Sequence, residues 1–299
     1  VSKPTDIERV SQNRVVKLFK EELNYTYLGD WQEREGNSNI EKKYLKNYLK
    51  SKGYSDEHIS KAIFELQQVA KDFSDGDDLY TTNKNVYSKL RNGVKVKVSV
   101  GENYDTVKLI NWQDPEDNDF YIAEEVTVKG NKNKRPDIVL YINGIAIAVL
   151  ELKRGIVDIG EGIRQNITNM QDRFIKPFFA TNQILFAGND SEGLRYGTIS
   201  SPEKFYLSWK EDVEDNSRLL LDKYLIKMCS KERIIELLYD FIVFEADTKK
   251  LPRAHQYFAV KESQKYVNRS ESGIIWHTQG SGKSISMVYL AKWILENNP

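Results

Sequence analysis

The strongest constraint on the fold is the stretch at residues 135–154, RPDIVLYINGIAIAVLELKR, which contains two apolar runs on either side of Asn143-Gly144. An Asn-Gly pair between such runs is typical of the tight turn of a β-hairpin. Apolar residues fill both alternating sets of positions in each run, so both faces of the hairpin should be buried. We therefore expect these two strands at the centre of a sheet.

Charged residues stand at the open end of this hairpin. Asp137 begins the first strand, and Glu151 and Lys153 lie two apart near the end of the second, on one strand face. Charges next to apolar strands are costly to bury unless they are paired or metal-bound. Two carboxylates that hold Mg²⁺ and a lysine beside the attacking water are the parts that phosphodiester cleavage needs. The alternative is an E-x-K triplet that arises by chance at solvated strand ends.

The hairpin register decides whether these residues can meet. With a simple two-residue turn, Asp137 would pair with Leu150 and face away from Glu151. A three-residue loop or a β-bulge would shift the register by one and bring the carboxylates to the same face. The sequence therefore predicts such an irregularity. The basic loop before Asp137 contributes Lys132, Lys134 and Arg135, which we expect to bind DNA phosphates, although a merely solvated loop is the alternative.

The remaining pattern predicts helices before and after these strands. Predicted helices lie at residues 7–22, with Val10 on the apolar face, within 39–69, near 85–91, at 160–174 and over 217–244; predicted strands are VKVKVSV, TVKLINW, FYIAEEVTV, NQILFAGND and YGTISS. The polar segment 245–252 predicts a domain boundary near residue 248.

The last part of the chain, GIIWHTQGSGKSISMVYLAKWIL, has the order strand, glycine-rich loop, helix that a phosphate-binding loop requires. Lys283 should reach the outer phosphate oxygens and Ser284 should ligate the Mg²⁺ of Mg-ATP. The candidate ATP-binding residues of the loop are Thr278, Gln279, Gly280, Ser281, Gly282, Lys283 and Ser284. The segment departs from the usual phosphate-loop pattern because His277 replaces its first glycine.

These motifs resemble known families. P-D followed by E-L-K across an apolar hairpin looks like the PD-(D/E)xK nuclease motif, and T-Q-G-S-G-K-S is similar to the first motif of superfamily 2 helicases. L-P-R-A-H-Q-Y-F resembles the adenine-recognising element of those helicases, with Gln256 reading the base and Arg253 supporting it. Together with Q-N-R-V-V-K-L-F and G-N-S-N-I, the whole chain resembles the amino-terminal portion of the restriction subunit of type I restriction-modification enzymes.

The resemblance implies an α/β fold. It places a mixed central sheet flanked by helices at residues 1–248 and the truncated opening of a RecA-like helicase domain at 249–299. It also implies a catalytic glutamine at Gln165, whereas Asn169 stands where the family commonly has tyrosine. The implied activity is a type I, ATP-dependent deoxyribonuclease whose full-length subunit translocates and cleaves double-stranded DNA with Mg²⁺ and ATP. The implied partners are modification and specificity subunits, and S-adenosylmethionine would be needed only through that complex.

Two rival functions remain open. A nuclease-helicase of DNA repair or of another phage-defence system would share both motifs, and a catalytically silent module could use the nuclease fold only to bind DNA or dock partners. Balanced charge, with 44 basic and 44 acidic residues, excludes a global positive field, so DNA contacts must be local. One cysteine, no secretory signal and no membrane-length apolar run predict a cytoplasmic protein. We expect no ATP hydrolysis by this chain alone, because no second acidic motif follows Ser284.

Overall fold

The computed structural model describes residues 4–73, 78–97, 103–211, 215 and 217–297, with the backbone alone at residues 4–8. Its α-helices are α1 (Pro4–Glu21), α2 (Lys42–Ser51), α3 (Asp56–Lys71), α4 (Leu79–Asn92), α5 (Gly160–Asn169), α6 (Leu220–Cys229), α7 (Lys231–Asp240), α8 (Ala254–Asn268) and α9 (Lys283–Asn297). Its strands are β1 (Thr26–Asp30), β2 (Val94–Val96), β3 (Asp105–Val107), β4 (Phe120–Glu124), β5 (Ile138–Ile142), β6 (Ile145–Leu152), β7 (Ile184–Asn189), β8 (Gly193–Gly197), β9 (Leu207–Ser208), β10 (Val243–Glu245) and β11 (Thr248–Lys250).

A seven-stranded mixed sheet in the order β1-β4-β5-β6-β7-β8-β9 forms the centre of the molecule. The pairs β1–β4 and β6–β7 are parallel and the other neighbours are antiparallel. Every residue of β5 and β6 is buried, as the apolar filling of both faces predicts. The hairpin β5–β6 is therefore central to the sheet, and the predicted α/β class with helices around a mixed sheet is confirmed.

The two faces of the sheet carry separate apolar clusters. One contains Ile138 and Leu140 of β5 together with residues of α1, α3, α4, α6 and α7. The other contains Val139 and Tyr141 of β5 together with Ile163 of α5. This alternation along β5 is the period of two that a sheet buried on both sides requires.

The hairpin contains the irregularity that the sequence predicts. Asn143 and Gly144 both have positive φ, +53° and +86°, so the turn itself is the two-residue kind. Pairing then shifts between Tyr141, opposite Ala146, and Leu140, opposite Ala148. Ile147 is the extra residue, and Ile147 and Ala148 both pack into the cluster on the α1 side. The structure thus combines a tight turn with a β-bulge.

Several element predictions were wrong. The stretch 217–244 is two helices and a strand rather than one helix, because Ser230 takes an extended conformation, with ψ 143°, between α6 and α7. Val10 is 66% exposed, because it lies five residues from Val15 and a five-residue step turns a helix well away from its starting face. Strand β1 was not predicted. The short strands β2 and β3 form a separate two-stranded sheet, and the rest of the predicted strand VKVKVSV, residues 98–100, lies outside the described residues.

The region around residue 248 is a hairpin rather than an open linker. Strands β10 and β11 pair from Val243–Lys250 to Glu245–Thr248. Lys249 is buried, and its ammonium donates to Asn83 Oδ1 at 2.9 Å and Gln183 Oε1 at 2.5 Å. Burial lowers the pKa of Lys249 well below its usual value. The hairpin therefore ties the start of the last segment to the nuclease-like core, and the domain boundary stays a prediction.

The segment before the glycine-rich loop differs from its prediction. Residues 273–277 form no strand among the described residues, whereas α9 follows the loop as predicted. Ile274 and Trp276 are each 90% exposed. A strand needs a neighbour for its backbone hydrogen bonds, and no described segment pairs with this one. None of the described helices is both long and apolar enough to cross a membrane.

Candidate functional site

The bulge at Ile147 places Asp137 and Glu151 on the same face of the sheet. Because Ile138 pairs with Leu150, Asp137 comes opposite Glu151, on the face that α5 covers. Without the extra residue, Glu151 would point into the cluster on the α1 side. The predicted register shift is therefore confirmed, and it is what brings the two carboxyl groups together.

The two carboxyl groups are close enough to share a hydrogen bond. Asp137 Oδ2 also accepts from the Leu152 N–H at 2.6 Å, and Lys153 Nζ lies 4.0 Å from the same oxygen while donating to Leu152 O at 2.9 Å. Burial raises the pKa of Asp137 to about 6, even though Lys153 and the Leu152 N–H oppose that rise. Burial and the neighbouring Asp137 carboxylate raise the pKa of Glu151 well above its usual value.

Helix α5 supplies two amides to Glu151. Gln165 Nε2 donates to Glu151 Oε2 at 2.6 Å, and Asn169 Nδ2 donates to Glu151 Oε1 at 3.2 Å. The helix approaches closely at Gly162, where an added Cβ would lie 3.2 Å from Ala187 Cβ and 3.4 Å from Glu151 O. Gln165 and Asn169 are four residues apart and share a helix face. Each oxygen of the Glu151 carboxylate therefore accepts a hydrogen bond from one side-chain amide, and Asn169 supplies one of the two.

A second polar network borders the site. The buried carboxylate of Glu124 accepts from Gln12 Nε2 at 2.8 Å and from the Tyr27 hydroxyl at 2.5 Å. Glu125, with φ +52°, pairs with Arg135 at 2.6 Å. Sequence reasoning missed this network. The sequence contains a signal for this network, because Glu124 is an acidic residue at the end of an apolar strand, as Glu151 is near the end of β6.

An open cleft faces the site. Asp137 and Gln165 line it, as do Lys134 and Arg135 of the basic loop. Arg9 and Gln12 of α1 close another side. Lys132 is exposed and does not line the cleft. Lys134 does line it, and its Nζ lies 4.2 Å from the centre of the Phe174 ring. Of the three predicted DNA-contact residues, two therefore line the same cleft as Asp137.

The donor set fits a magnesium ion. Among the described residues no group of three or more acidic, histidine or cysteine side chains is arranged around a common point. Mg²⁺ commonly takes only one or two protein carboxylates and fills its other positions with water and substrate phosphates. Asp137 and Glu151 supply that number, and burial raises the pKa of both groups although the Lys153 ammonium opposes the rise. A divalent cation would add compensating positive charge.

The predicted phosphate loop is folded onto itself. Gly280 and Gly282 have positive φ, +78° and +83°, and α9 begins at Lys283. Lys283 Nζ donates to the carbonyls of His277 at 3.1 Å and Thr278 at 3.2 Å. Thr278, Gln279 and Ser284 are exposed, while Ser281 is half-buried.

The predicted adenine reader contacts the same loop. Gln256 Nε2 donates to Ser281 O at 3.1 Å and Gly282 O at 3.2 Å, while Gln256 Oε1 accepts from the Arg253 N–H at 2.8 Å. Arg253 and Gln256 line a cavity together with Gly280 and Gly282. The structure thus brings the predicted ATP-binding residues to one place, and the amide of Gln256 is bonded to protein atoms there.

The mixed sheet, the bulged central hairpin and the carboxylate pair with its lysine define a PD-(D/E)xK nuclease-like domain. Residues 7–204 match the family described as type I restriction enzyme R protein N terminus. The chain therefore belongs to the family of type I restriction enzyme R subunits and represents their amino-terminal portion. Residues 255–299 match the SWI2/SNF2 ATPase family.

Curated relatives agree with this assignment. The putative type I restriction enzyme MjaVIIIP endonuclease subunit of Methanocaldococcus jannaschii is 31% identical over 303 residues, covering 91% of this chain and 28% of that protein. The type I restriction enzyme HindI endonuclease subunit of Haemophilus influenzae is 30% identical over 247 residues, covering 74% of this chain and 23% of that protein. The chain thus spans about a quarter of the length of these relatives.

Proposed function

We propose that this chain carries the nuclease centre of a type I restriction endonuclease subunit, which cleaves double-stranded DNA with Mg²⁺ held by Asp137 and Glu151. The observation that carries the proposal is the bulge at Ile147, because it sets Asp137 opposite Glu151 and beside Lys153. The bulge interrupts the ladder of a buried hairpin and places the buried carboxyl group of Glu151 opposite the half-buried one of Asp137, an arrangement that is costly unless the charges are paired or metal-bound.

Each side chain has a distinct task in this proposal. Asp137 and Glu151 would hold the ion, which when bound polarises the scissile phosphate and lowers the pKa of a coordinated water. Gln165 and Asn169 keep the Glu151 carboxylate oriented through their two amide hydrogen bonds. Lys153 Nζ, at 4.0 Å from Asp137, is placed to orient the attacking water or the phosphate oxygen. Lys134 and Arg135 line the cleft where the DNA backbone would lie.

The second half of the proposal concerns the motor. We infer that the match of residues 255–299 to an ATPase family and the folded glycine-rich loop belong to the start of an ATP-driven DNA translocase. Lys283 and Ser284 would bind the phosphates and Mg²⁺ of ATP, and Arg253 and Gln256 would contact the adenine. The complete subunit would act in the cytoplasm with modification and specificity subunits, and S-adenosylmethionine would act only through that complex.

The test is cleavage of unmethylated supercoiled DNA with Mg²⁺ and ATP by the full-length subunit and its partner subunits. Lys153→Ala should abolish cutting while ATP hydrolysis continues, and Lys283→Ala should abolish both. Unimpaired cutting by Lys153→Ala would overturn the proposal and leave the domain as a docking module.

A further inference from the structure

A tight turn that is held by several hydrogen bonds follows strand β6. The Val157 N–H donates to Arg154 O at 2.9 Å, which closes residues 154–157 into one turn. Ser191 Oγ donates to Gly155 O at 2.7 Å, and Asn189 Nδ2 donates to Val157 O at 2.8 Å. The turn is therefore fixed to the end of β7 and the loop after it.

Two side chains of this turn are available for contacts outside the protein, the exposed Ile156 and the half-buried Arg154. Ile156 is 85% exposed, and Arg154 has neither an ion pair nor a hydrogen bond among the described residues. A single exposed apolar side chain is ordinary on a protein surface. Here, however, the anchored backbone holds the isoleucine outward, two residues from an arginine whose side chain has no polar partner in the part of the chain that the structure describes. The two residues follow Lys153 by one and three positions.

The position of the turn relates it to the site. The carboxyl ends of β4 and β6 and the amino end of β5 lie at the same edge of the sheet, because β4 and β6 both run antiparallel to β5. The basic loop joins β4 to β5 on one side of Asp137 and Glu151. The turn at 154–157 follows β6 on the other side, next to β7. The carboxylate pair therefore lies between the two segments.

We propose that Arg154 and Ile156 form a second DNA contact across the site from the basic loop. Arg154 binds a backbone phosphate, and Ile156 acts as an apolar wedge that enters the minor groove and partly unstacks the base pairs near the cut. Apolar side chains that enter this way are known to kink the duplex. A rigid turn suits this task, because the wedge has to resist the force of the stacked bases. The inference rests on the proposed nuclease function.

The phosphate contact is tested by binding, without cleavage. Duplex DNA is titrated with the full-length subunit in EDTA at several salt concentrations. Arg154→Ala should weaken binding and lower the slope of log affinity against log salt by about one, as the loss of one phosphate contact requires. An unchanged slope would overturn the role of Arg154.

The wedge is tested by rescue. Ile156→Ala should slow Mg²⁺-dependent cleavage of fully paired plasmid by at least about tenfold. The same variant should cut heteroduplex plasmid with scattered unpaired bases at nearly the wild-type rate, because that DNA is already unstacked. Ile156→Leu should retain activity on both. Phe64→Ala, which removes another exposed apolar side chain on α3, should change neither rate.

The outcomes separate the two proposals. If Lys153→Ala is inactive but Ile156→Ala cuts paired DNA normally, the wedge is wrong and the nuclease function stands. If Ile156→Ala is slow on both substrates alike, the side chain does not act by distorting DNA, and the wedge is again overturned. If Lys153→Ala cuts normally, the nuclease function itself fails.

Discussion

The carboxylate site and the glycine-rich loop differ in how their charged groups are held. At the first, Asp137 and Glu151 lie between β5, β6 and α5, and their carboxyl groups accept hydrogen bonds from residues 14–18 positions further along the chain. At the second, Lys283 is exposed, and among the described residues its ammonium donates to two carbonyls of its own loop. The charged groups of the first site are held by other elements, whereas the lysine of the second is held by its own loop.

This difference has an energetic consequence. Burial raises the pKa of both Asp137 and Glu151, so their charged forms are unfavourable at this site and a bound cation would stabilise them. At the glycine-rich loop the charged form of Lys283 has little such cost, because water solvates the exposed ammonium directly. Substitutions should therefore have large effects on both stability and chemistry at the first site, and effects mainly on ligand binding at the second.

The largest effect is expected from the amides on α5. Gln165→Ala or Asn169→Ala should lower the cleavage rate and the apparent Mg²⁺ affinity of the full-length enzyme by about 10–100-fold, because each releases one oxygen of Glu151. Mg²⁺ titration of the cleavage rate measures this, with ATP hydrolysis as the internal reference. Arg164→Ala is the matched control on the same helix, since Arg164 pairs with Glu161 and Glu203. Mg²⁺ curves that coincide with wild type would contradict the orienting role.

A smaller effect is expected on stability, and it should depend on pH. Raised carboxyl pKa values contribute stability below the ordinary value near 4, and that contribution is lost as pH rises through about 6 for Asp137. In EDTA, Asp137→Asn should therefore unfold at nearly the wild-type temperature at pH 4 and several °C higher at pH 8, for a gain of at most about 3 kcal/mol.

Adding Mg²⁺ at pH 8 should narrow this gap, because the ion stabilises wild type through carboxylates that the variant lacks. Thermal unfolding followed by circular dichroism checks both statements. Equal unfolding temperatures for the two proteins at both pH 4 and pH 8 would show that burial of Asp137 does not destabilise the wild-type protein.

The smallest effect is expected at the glycine-rich loop. Lys283→Ala should change the free energy of unfolding by less than about 0.5 kcal/mol, because the side chain is exposed. Gly282→Ala should cost more, since its φ is +83° and an added Cβ would lie 2.4 Å from Gln256 Nε2. Denaturant titration compares the two. If Lys283→Ala lowered the free energy of unfolding as much as Gly282→Ala does, the distinction drawn between the two regions would be wrong.

Much of the nuclease-like core could be predicted because its signals are local. Asn143-Gly144 fixes the turn, and the apolar filling of both strand faces fixes the burial of β5 and β6. The break at Ser230 was missed because apolar residues continue through it and the helical period does not reveal a change of axis. The strand predicted at 273–276 failed for a different reason, since strand formation depends on a partner that no local pattern supplies.

The sequence by itself determined which residues could do the chemistry: a carboxylate at the start of one buried strand, E-x-K at the end of the next, and a glycine-rich loop before a helix. Only the tertiary structure decided that the register slips at Ile147 and that Asn169 and Gln165 each hold one oxygen of Glu151. The physical reason is that side-chain type and period are properties of neighbouring residues, whereas the position of a bulge and the partners of a buried carboxylate depend on how distant segments fill the space between them.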